Sequence, residues 1–330
     1  MEYELEQVKC PVCDCGKYNI YMSAVEELYN KTREKFDIVK CHDCGFVFTN
    51  PRPTKETISV FYPDSAGYYQ PVDAILKYNR SFKETLIRTV LAHFYNYNIK
   101  TAIPKSAAYI LNKILNRKIK LAHIPNFVND GSLLDIGCSS GLYLSRMAVY
   151  GWNVHGIELN KNASEHAKNK LGLKNIFNGS LEDYKGFDNF FDVVHMGMVL
   201  EHLHDPDKCL RLVYNLLKKN GQLIVSVPDI SGFEARVYGK YAYMLHVPQH
   251  LCHFTPETVR KLMTNAGFTI KRIIHHNFDR DMVASAQYLE KKWLGKILSN
   301  ICIRTFLVKP FVFGLGALGK TSRMSIYATK

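Results

Sequence analysis

No stretch of this 330-residue chain approaches the roughly 18 uncharged apolar residues that one membrane-spanning helix needs. Residues Met1 to Lys9 carry three glutamates and no apolar run, so they do not read as a secretory signal. Low-complexity tracts and internal repeats are missing too. These absences exclude a spanning or repetitive architecture and leave the cytoplasm as the expected location. Acidic residues are scarce in two places. Residues 77–120 hold ten Lys/Arg and one acid, Glu84, and residues 291–330 hold eight Lys/Arg and none. The net charge of +13 is concentrated there. Such segments point to an anionic partner, whether a membrane surface, a phosphorylated substrate or nucleic acid. The alternative is a set of solvated helix faces.

Nine cysteines are present, five of them within the first 44 residues. An odd number arranged as CxxC pairs argues for metal binding rather than disulfides. Cys10-Pro-Val-Cys13 and Cys41-His-Asp-Cys44-Gly45 are separated by 27 residues. Each turn lets two sulfurs face one ion, and four thiolates make a closed tetrahedral structural zinc site. Cys15 and His42 are spare ligands; redox or fortuitous pairing is the alternative.

Three blocks follow from the pattern. Residues 1–53 form the cysteine block and end in Asn50-Pro51-Arg52-Pro53, which no helix or strand core tolerates. Residues 54–128 read as a helical linker or lid. Leu86, Ile87, Val90, Leu91 and Phe94 repeat at helical spacing, and a second helix is predicted from Ser106 to about Leu121. Residues 129–330 alternate strands with helices, the pattern of an α/β parallel sheet covered on both faces. Strands are predicted at 132–136, 153–158, 174–178, 191–196, 221–227, 268–275 and 324–329. Helices are predicted at 141–150, 161–171, 206–218 and 256–266, with an insertion at 280–320.

The segment Leu133-Leu134-Asp135-Ile136-Gly137-Cys138-Ser139-Ser140-Gly141 is a buried strand entering a tight turn and a helix. Small residues let the backbone approach a ligand, and the helix N-terminus offers free N–H groups to a carboxylate such as that of S-adenosylmethionine (SAM). Val154-His155-Gly156-Ile157-Glu158 is the next strand. Its terminal acid is placed to accept hydrogen bonds from ribose hydroxyls. A G-x-G-x-x-G dinucleotide loop would need glycines at Ser139 and Leu142, which disfavours NAD.

With those residues in view, the block resembles class I SAM-dependent methyltransferases over roughly residues 130–280 and the final strand. The family's acid-x-Gly-x-Gly-x-Gly motif is matched at Asp135, Gly137 and Gly141, with Ser139 at the middle glycine and Cys138 inside the loop. The resemblance implies a Rossmann-like seven-stranded class I methyltransferase sheet with an N-terminal zinc ribbon and helical insertions. It implies that Asp135 helps hold the SAM amino group and that Glu158 holds the ribose. Leu159 follows Glu158, Ser180 and Leu181 lie in the segment resembling the adenine contact, and Met196 ends strand four. Ser180 stands where the family usually has aspartate.

Residues Gly197-Met198-Val199-Leu200-Glu201-His202-Leu203-His204-Asp205-Pro206 resemble the segment of ubiquinone-type O-methyltransferases in which two glutamates and a histidine hold a divalent metal. Met198 occupies the first glutamate position, so no magnesium site is expected. Glu201 and His202 are structural or catalytic. Beyond strand five, His246-Val-Pro-Gln-His250-Leu-Cys-His253-Phe-Thr255 supplies histidines at the strand ends, where open α/β folds build active sites. His250, with His253 and His202, is the candidate general base; capping of backbone groups is the alternative. No Asp/Asn-Pro-Pro-Tyr/Phe amine-methylation tetrapeptide occurs, which disfavours a nucleic-acid substrate.

The cysteine block, Phe46-Val-Phe-Thr-Asn-Pro-Arg-Pro53 and the Pro-x-His-Leu-x-His-Phe loop together resemble a bacterial and archaeal methyltransferase group associated with surface-polysaccharide and small-molecule biosynthesis. This implies a small-molecule or glycan acceptor. Residues 293–319 are apolar but interrupted by Lys296, Arg304 and Lys309. They are expected to lie on an anionic membrane surface or to cap the active site, binding a lipid-linked or phosphorylated acceptor. An RNA methyltransferase and a non-catalytic partner protein are the rival readings.

Overall fold

The computed structural model describes residues 2–29, 32, 34–62, 82–115, 123–290 and 292–330. In chain order the strands are β1 (Leu5–Glu6), β2 (Tyr18–Val25), β3 (Lys35–Cys41), β4 (Val47–Thr49), β5 (Arg52–Pro53), β6 (Ser132–Ile136) and β7 (Asn153–Glu158). They continue with β8 (Asn175–Asn178), β9 (Phe191–Gly197), β10 (Leu217–Pro228), β11 (Cys252–His253), β12 (Thr269–His275) and β13 (Arg323–Thr329). Seven of them hydrogen-bond in the order β12-β13-β10-β9-β6-β7-β8, the class I methyltransferase arrangement.

Each predicted strand of this sheet is present, because its sequence leaves little choice. Every residue of β6 is buried, as a central parallel strand covered on both faces requires. In β9, Phe191, Val193, Val194 and Met196 are fully buried. Strand β10 starts earlier than its apolar pattern predicts. Lys218 and Lys219 are exposed and mask the strand, yet the Lys218 ammonium donates to Asp192 on the neighbouring β9 at 2.8 Å.

The chain sorts into two compact units that cut across the linear blocks. One comprises Met1–Pro63, Met198–Arg211 and Ser226–Ile326; the other comprises Asp64–Gly197, Leu212–Val225 and Tyr327–Lys330. In the first unit the cysteine block does not stand apart. A four-stranded sheet runs β11-β4-β3-β2, so the histidine loop contributes a strand to the ribbon. Phe36, Ile38 and Val47 share one core with Phe61, Met244, Leu245, Val247, Met282, Val308 and Val312. Burial of each large apolar side chain contributes about 1.5–3 kcal/mol.

Helices Phe82–Phe94 and Lys105–Leu115 lie in the second unit; the rest of the predicted 106–121 helix falls outside the described residues. Within the 280–320 insertion, Val308 and Val312 turn inward while Ile301, Phe306 and Leu307 are 66–74% exposed. No single helix among the described residues is long and apolar enough to cross a membrane. The pair Trp293–Ser299 and Ile301–Ala317, bent by 65°, passes on length and composition only when taken together.

Candidate functional site

Strand β6 has β7 on one side and β9 on the other, both parallel to it. The chain fills β7 and β8 on one side and then crosses to β9, so the carboxyl ends of β6 and β9 form the switch point where open α/β sheets bind ligands. All residues of this region belong to the second unit.

The loop after β6 is wound tightly. Gly137, Ser139 and Gly141 have φ of 71°, 50° and 83°, in the left-handed region. Ser139 thus adopts the conformation of the glycine it replaces. A Cβ at Gly141 would lie 2.7 Å from Leu173 Cδ1 and 2.9 Å from Ala167 Cβ, so the helix Leu142–Val149 starts close to its neighbour. Glu158 ends β7 and binds the loop directly. Its Oε2 accepts from the Ser139 N–H and its Oε1 from the Asn160 N–H, each at 2.8 Å. Burial raises its carboxyl pKa despite those bonds. A carboxylate has about four lone-pair positions, so capacity for ribose hydroxyls remains.

The other expected cofactor residues surround this loop unevenly. Cys138 and Met196 are buried, Leu181 is at the edge of burial, and Leu159 is 74% exposed. The Ser180 hydroxyl donates to Asp183 Oδ2 at 2.6 Å. Asp135 has a partner the sequence did not announce. It sits in direct register with His195 of β9, whose Nδ1 is 2.6 Å from Asp135 Oδ1. His195 Nε2 in turn lies 2.6 Å from His123 Nδ1. The detectable signal was a histidine inside an otherwise apolar strand. Its partner could not be read before the strand register was known.

The histidines proposed from sequence lie in the first unit; His250 and His253 are buried, and His202 is partly buried. His202, His250 and His253 are held neutral by burial, which lowers the His202 pKa to about 4, that of His253 to about 3, and that of His250 well below its ordinary value. His253 lies in β11, its Nε2 3.2 Å from the Thr49 hydroxyl. His250 Nδ1 donates to the Met244 carbonyl at 2.9 Å, and His202 Nδ1 faces the Gln249 carbonyl at 3.0 Å. Glu201, His202 and His250 bring one ligand atom each within 4.8 Å of one another. Among the described residues neither Glu201 carboxyl oxygen has a hydrogen-bond partner, and burial pushes the pKa up to about 8. Met198 stands where ubiquinone-type enzymes have the first glutamate. One buried carboxyl and two imidazoles do not form the oxygen-rich set that magnesium requires.

The four cysteines converge as expected. Cys10, Cys13, Cys41 and Cys44 form one group, with Cys10 and Cys44 sulfurs 3.4 Å apart and those of Cys13 and Cys41 3.5 Å apart. The two knuckles are built alike. Asp14 N–H donates to the Cys10 carbonyl and Gly45 N–H to the Cys41 carbonyl, with Asp14 and Gly45 at φ 57° and 71°. Cys15 and His42 are not in the group. The set fits a tetrahedral structural zinc.

These features define a class I methyltransferase fold with a four-cysteine cluster near its N-terminus. The chain belongs to the methyltransferase domain family, whose profile matches residues 105–273, just over half of its length. It is 34% identical over 107 residues to the mitochondrial ubiquinone biosynthesis O-methyltransferase of Schizosaccharomyces pombe, covering 31% of this chain and 39% of that one. It is 27% identical to the Rickettsia akari ubiquinone biosynthesis O-methyltransferase, covering 47% of this chain and 58% of the relative. For the Rickettsia prowazekii enzyme the figures are 26% identity, 55% and 75%. The chain thus spans less than two thirds of the first two relatives. A solved SAM-dependent methyltransferase from Archaeoglobus fulgidus aligns over 67% of this chain and 94% of its own at 20% identity and a TM-score of 0.43. That likeness bears on neither substrate nor mechanism.

Proposed function

We propose that the protein is a SAM-dependent methyltransferase that methylates a hydroxyl of a small-molecule, glycan or lipid-linked acceptor by in-line displacement. One observation carries the reading: the left-handed Gly137–Gly141 loop and the Glu158 carboxylate meet at the switch point of the sheet. The loop and the helix after it would receive the methionine carboxylate, Glu158 the ribose, and Leu159, Ser180 and Leu181 the adenine, with Cys138 and Met196 lining the floor. The hydroxyl chemistry is supported by relatives named as O-methyltransferases. Those relatives act in ubiquinone biosynthesis and lend nothing to a polysaccharide pathway.

In this reading Cys10, Cys13, Cys41 and Cys44 hold one structural zinc ion. The exposed Ile301, Phe306 and Leu307, flanked by Arg304 and Lys309, support a peripheral seat on an anionic, inner-face membrane surface from the cytoplasmic side. Calorimetry with SAM, followed by a labelled-SAM assay against phenols, sugars and lipid-linked glycans, tests the proposal. Absence of SAM binding by the zinc-loaded protein would overturn it.

A further inference from the structure

We propose that Glu201, His202 and His250 form a second metal site, one that takes a borderline divalent ion such as zinc or iron(II). The inference goes beyond the methyl-transfer reading and uses no residue of the SAM loop. All three side chains lie in the first unit. Glu201 and His202 belong to the short turn Leu200–His202 after β9, and His250 comes from the loop before β11. The Leu251 N–H donates to the Glu201 carbonyl at 2.8 Å, which ties the two segments together. One ligand atom from each of the three lies within 4.8 Å of the other two. Donors on a tetrahedral ion with bonds of about 2.0–2.2 Å stand about 3.3–3.6 Å apart, so a small side-chain adjustment closes the set.

Both imidazoles keep the nitrogen that a metal needs. His250 Nδ1 lies 2.9 Å from the Met244 carbonyl. His202 Nδ1 lies 3.0 Å from the Gln249 carbonyl, with the Tyr62 hydroxyl also at 3.0 Å. A carbonyl only accepts, so each Nδ1 carries the proton and each neutral ring has its lone pair on Nε2. A backbone carbonyl on the other ring nitrogen is also what orients ligating histidines. The two rings meet edge to face, their centroids 4.6 Å apart at 82°. Glu201 supplies the demand for a cation. It is 0% exposed, and among the described residues neither of its carboxyl oxygens has a hydrogen-bond partner. A neutral carboxyl there would still leave its polar atoms unsatisfied, at about 1–3 kcal/mol each. The nearby cation Arg323 is engaged instead by Asp281, in a two-pronged ion pair at 2.9 and 3.0 Å.

The donor set selects the ion. Two imidazoles and one carboxylate suit zinc or iron(II), whereas magnesium asks for an octahedron of oxygens. Met198 offers no carboxylate, and His250 takes the third place from a separate loop. Three protein ligands leave a fourth position for water or a small ligand. His246 is a further imidazole beside the set. Its ring centroid is 4.8 Å from that of His250, and its buried Nε2 has no hydrogen-bond partner among the described residues. Four thiolates take zinc in preference to this mixed set, so the chain carrying one zinc has the Glu201 set metal-free.

The test starts from the full chain carrying one zinc, checked by elemental analysis, and adds a second equivalent of zinc or cobalt(II). Wild type should retain the second ion through gel filtration, and excess magnesium should not displace it. Bound cobalt should show the ligand-field bands of a nitrogen–oxygen site with no new thiolate charge transfer. Glu201→Gln keeps the side-chain shape. It should retain the first ion and weaken the second by more than the about 10–100-fold that losing a supporting partner costs. Nitrogen-15 NMR of labelled histidines needs no variant: the second equivalent should shift the Nε2 signals of His202 and His250 in wild type. A second ion held equally by wild type and Glu201→Gln, new thiolate charge transfer, unmoved His202 and His250 signals, or no second ion in wild type would each overturn the site. SAM binding enters none of these readouts, so the methyl-transfer reading is decided separately.

Discussion

Replacing Glu201 with glutamine should make the protein more resistant to unfolding in mildly alkaline solution. Glu201 is fully enclosed, and burial pushes its pKa from 4.5 to about 8, with Arg323 opposing. Between those values the folded chain keeps a proton that the unfolded chain has released. Stability therefore falls as pH rises through this window. The neighbouring histidines act in the opposite sense. His202, His246 and His253 have pKa values lowered to about 4, 3 and 3 from 6.5. Below pH 6.5 the unfolded chain binds protons that these folded rings refuse, so their contribution rises with pH and is complete by about pH 6.5. From pH 6.5 to 8 Glu201 dominates within this cluster. One pH unit corresponds to about 1.4 kcal/mol, so the wild type should lose about 2 kcal/mol across that interval. Urea unfolding of zinc-loaded wild type and Glu201→Gln at several pH values measures it. The wild-type midpoint should decline, and that of Glu201→Gln should stay nearly level. Parallel declines would refute the assignment.

Further outcomes follow from other parts of the molecule. Glu158→Gln removes a charged acceptor from the Ser139 and Asn160 N–H groups and, on the proposed reading, from the ribose; at about 1.5–3 kcal/mol per charged hydrogen bond, SAM affinity by calorimetry should drop about 10–100-fold. Cys41→Ser should abolish stoichiometric zinc in elemental analysis and lower the melting temperature; full zinc retention would exclude the four-sulfur site. Gly141→Ala places a Cβ 2.7 Å from Leu173 at positive φ, and should cost about 1–3 kcal/mol in urea unfolding. Phe306→Ser combined with Leu307→Ser should weaken flotation with anionic vesicles without altering SAM binding, since both side chains are exposed.

Much of the sheet was legible because its strands are continuous apolar runs punctuated by glycine and proline. Phe191–Gly197 and Ser132–Ile136 have no plausible alternative. The cysteine cluster was legible because CxxC spacing is itself geometry. What escaped depends on pairing between distant residues. The strand Cys252–His253 is two residues long and has no period of its own; it exists because Val47–Phe48 pairs with it. The same pairing draws His250 and His253 inward, which a reading by residue type alone places at an active-site rim. The contact between Asp135 and His195 requires the register of two strands 60 residues apart. The shared core of Phe36 and Ile38 with Met244, Leu245, Val308 and Val312 was likewise invisible, because it joins residues more than 200 positions apart.

The strand supplied to the ribbon by Cys252–His253 also sets an order of events during synthesis. Thr49 donates its hydroxyl to the carbonyl of His250, 201 residues downstream, and its N–H to the carbonyl of Leu251. Leu251 N–H donates to the backbone carbonyl of Glu201. The cysteines emerge from the ribosome long before those partners exist. Until residues 250–253 are made, β4 has no strand to pair with on that side, so the sheet that holds the cysteine loops cannot be completed early in synthesis.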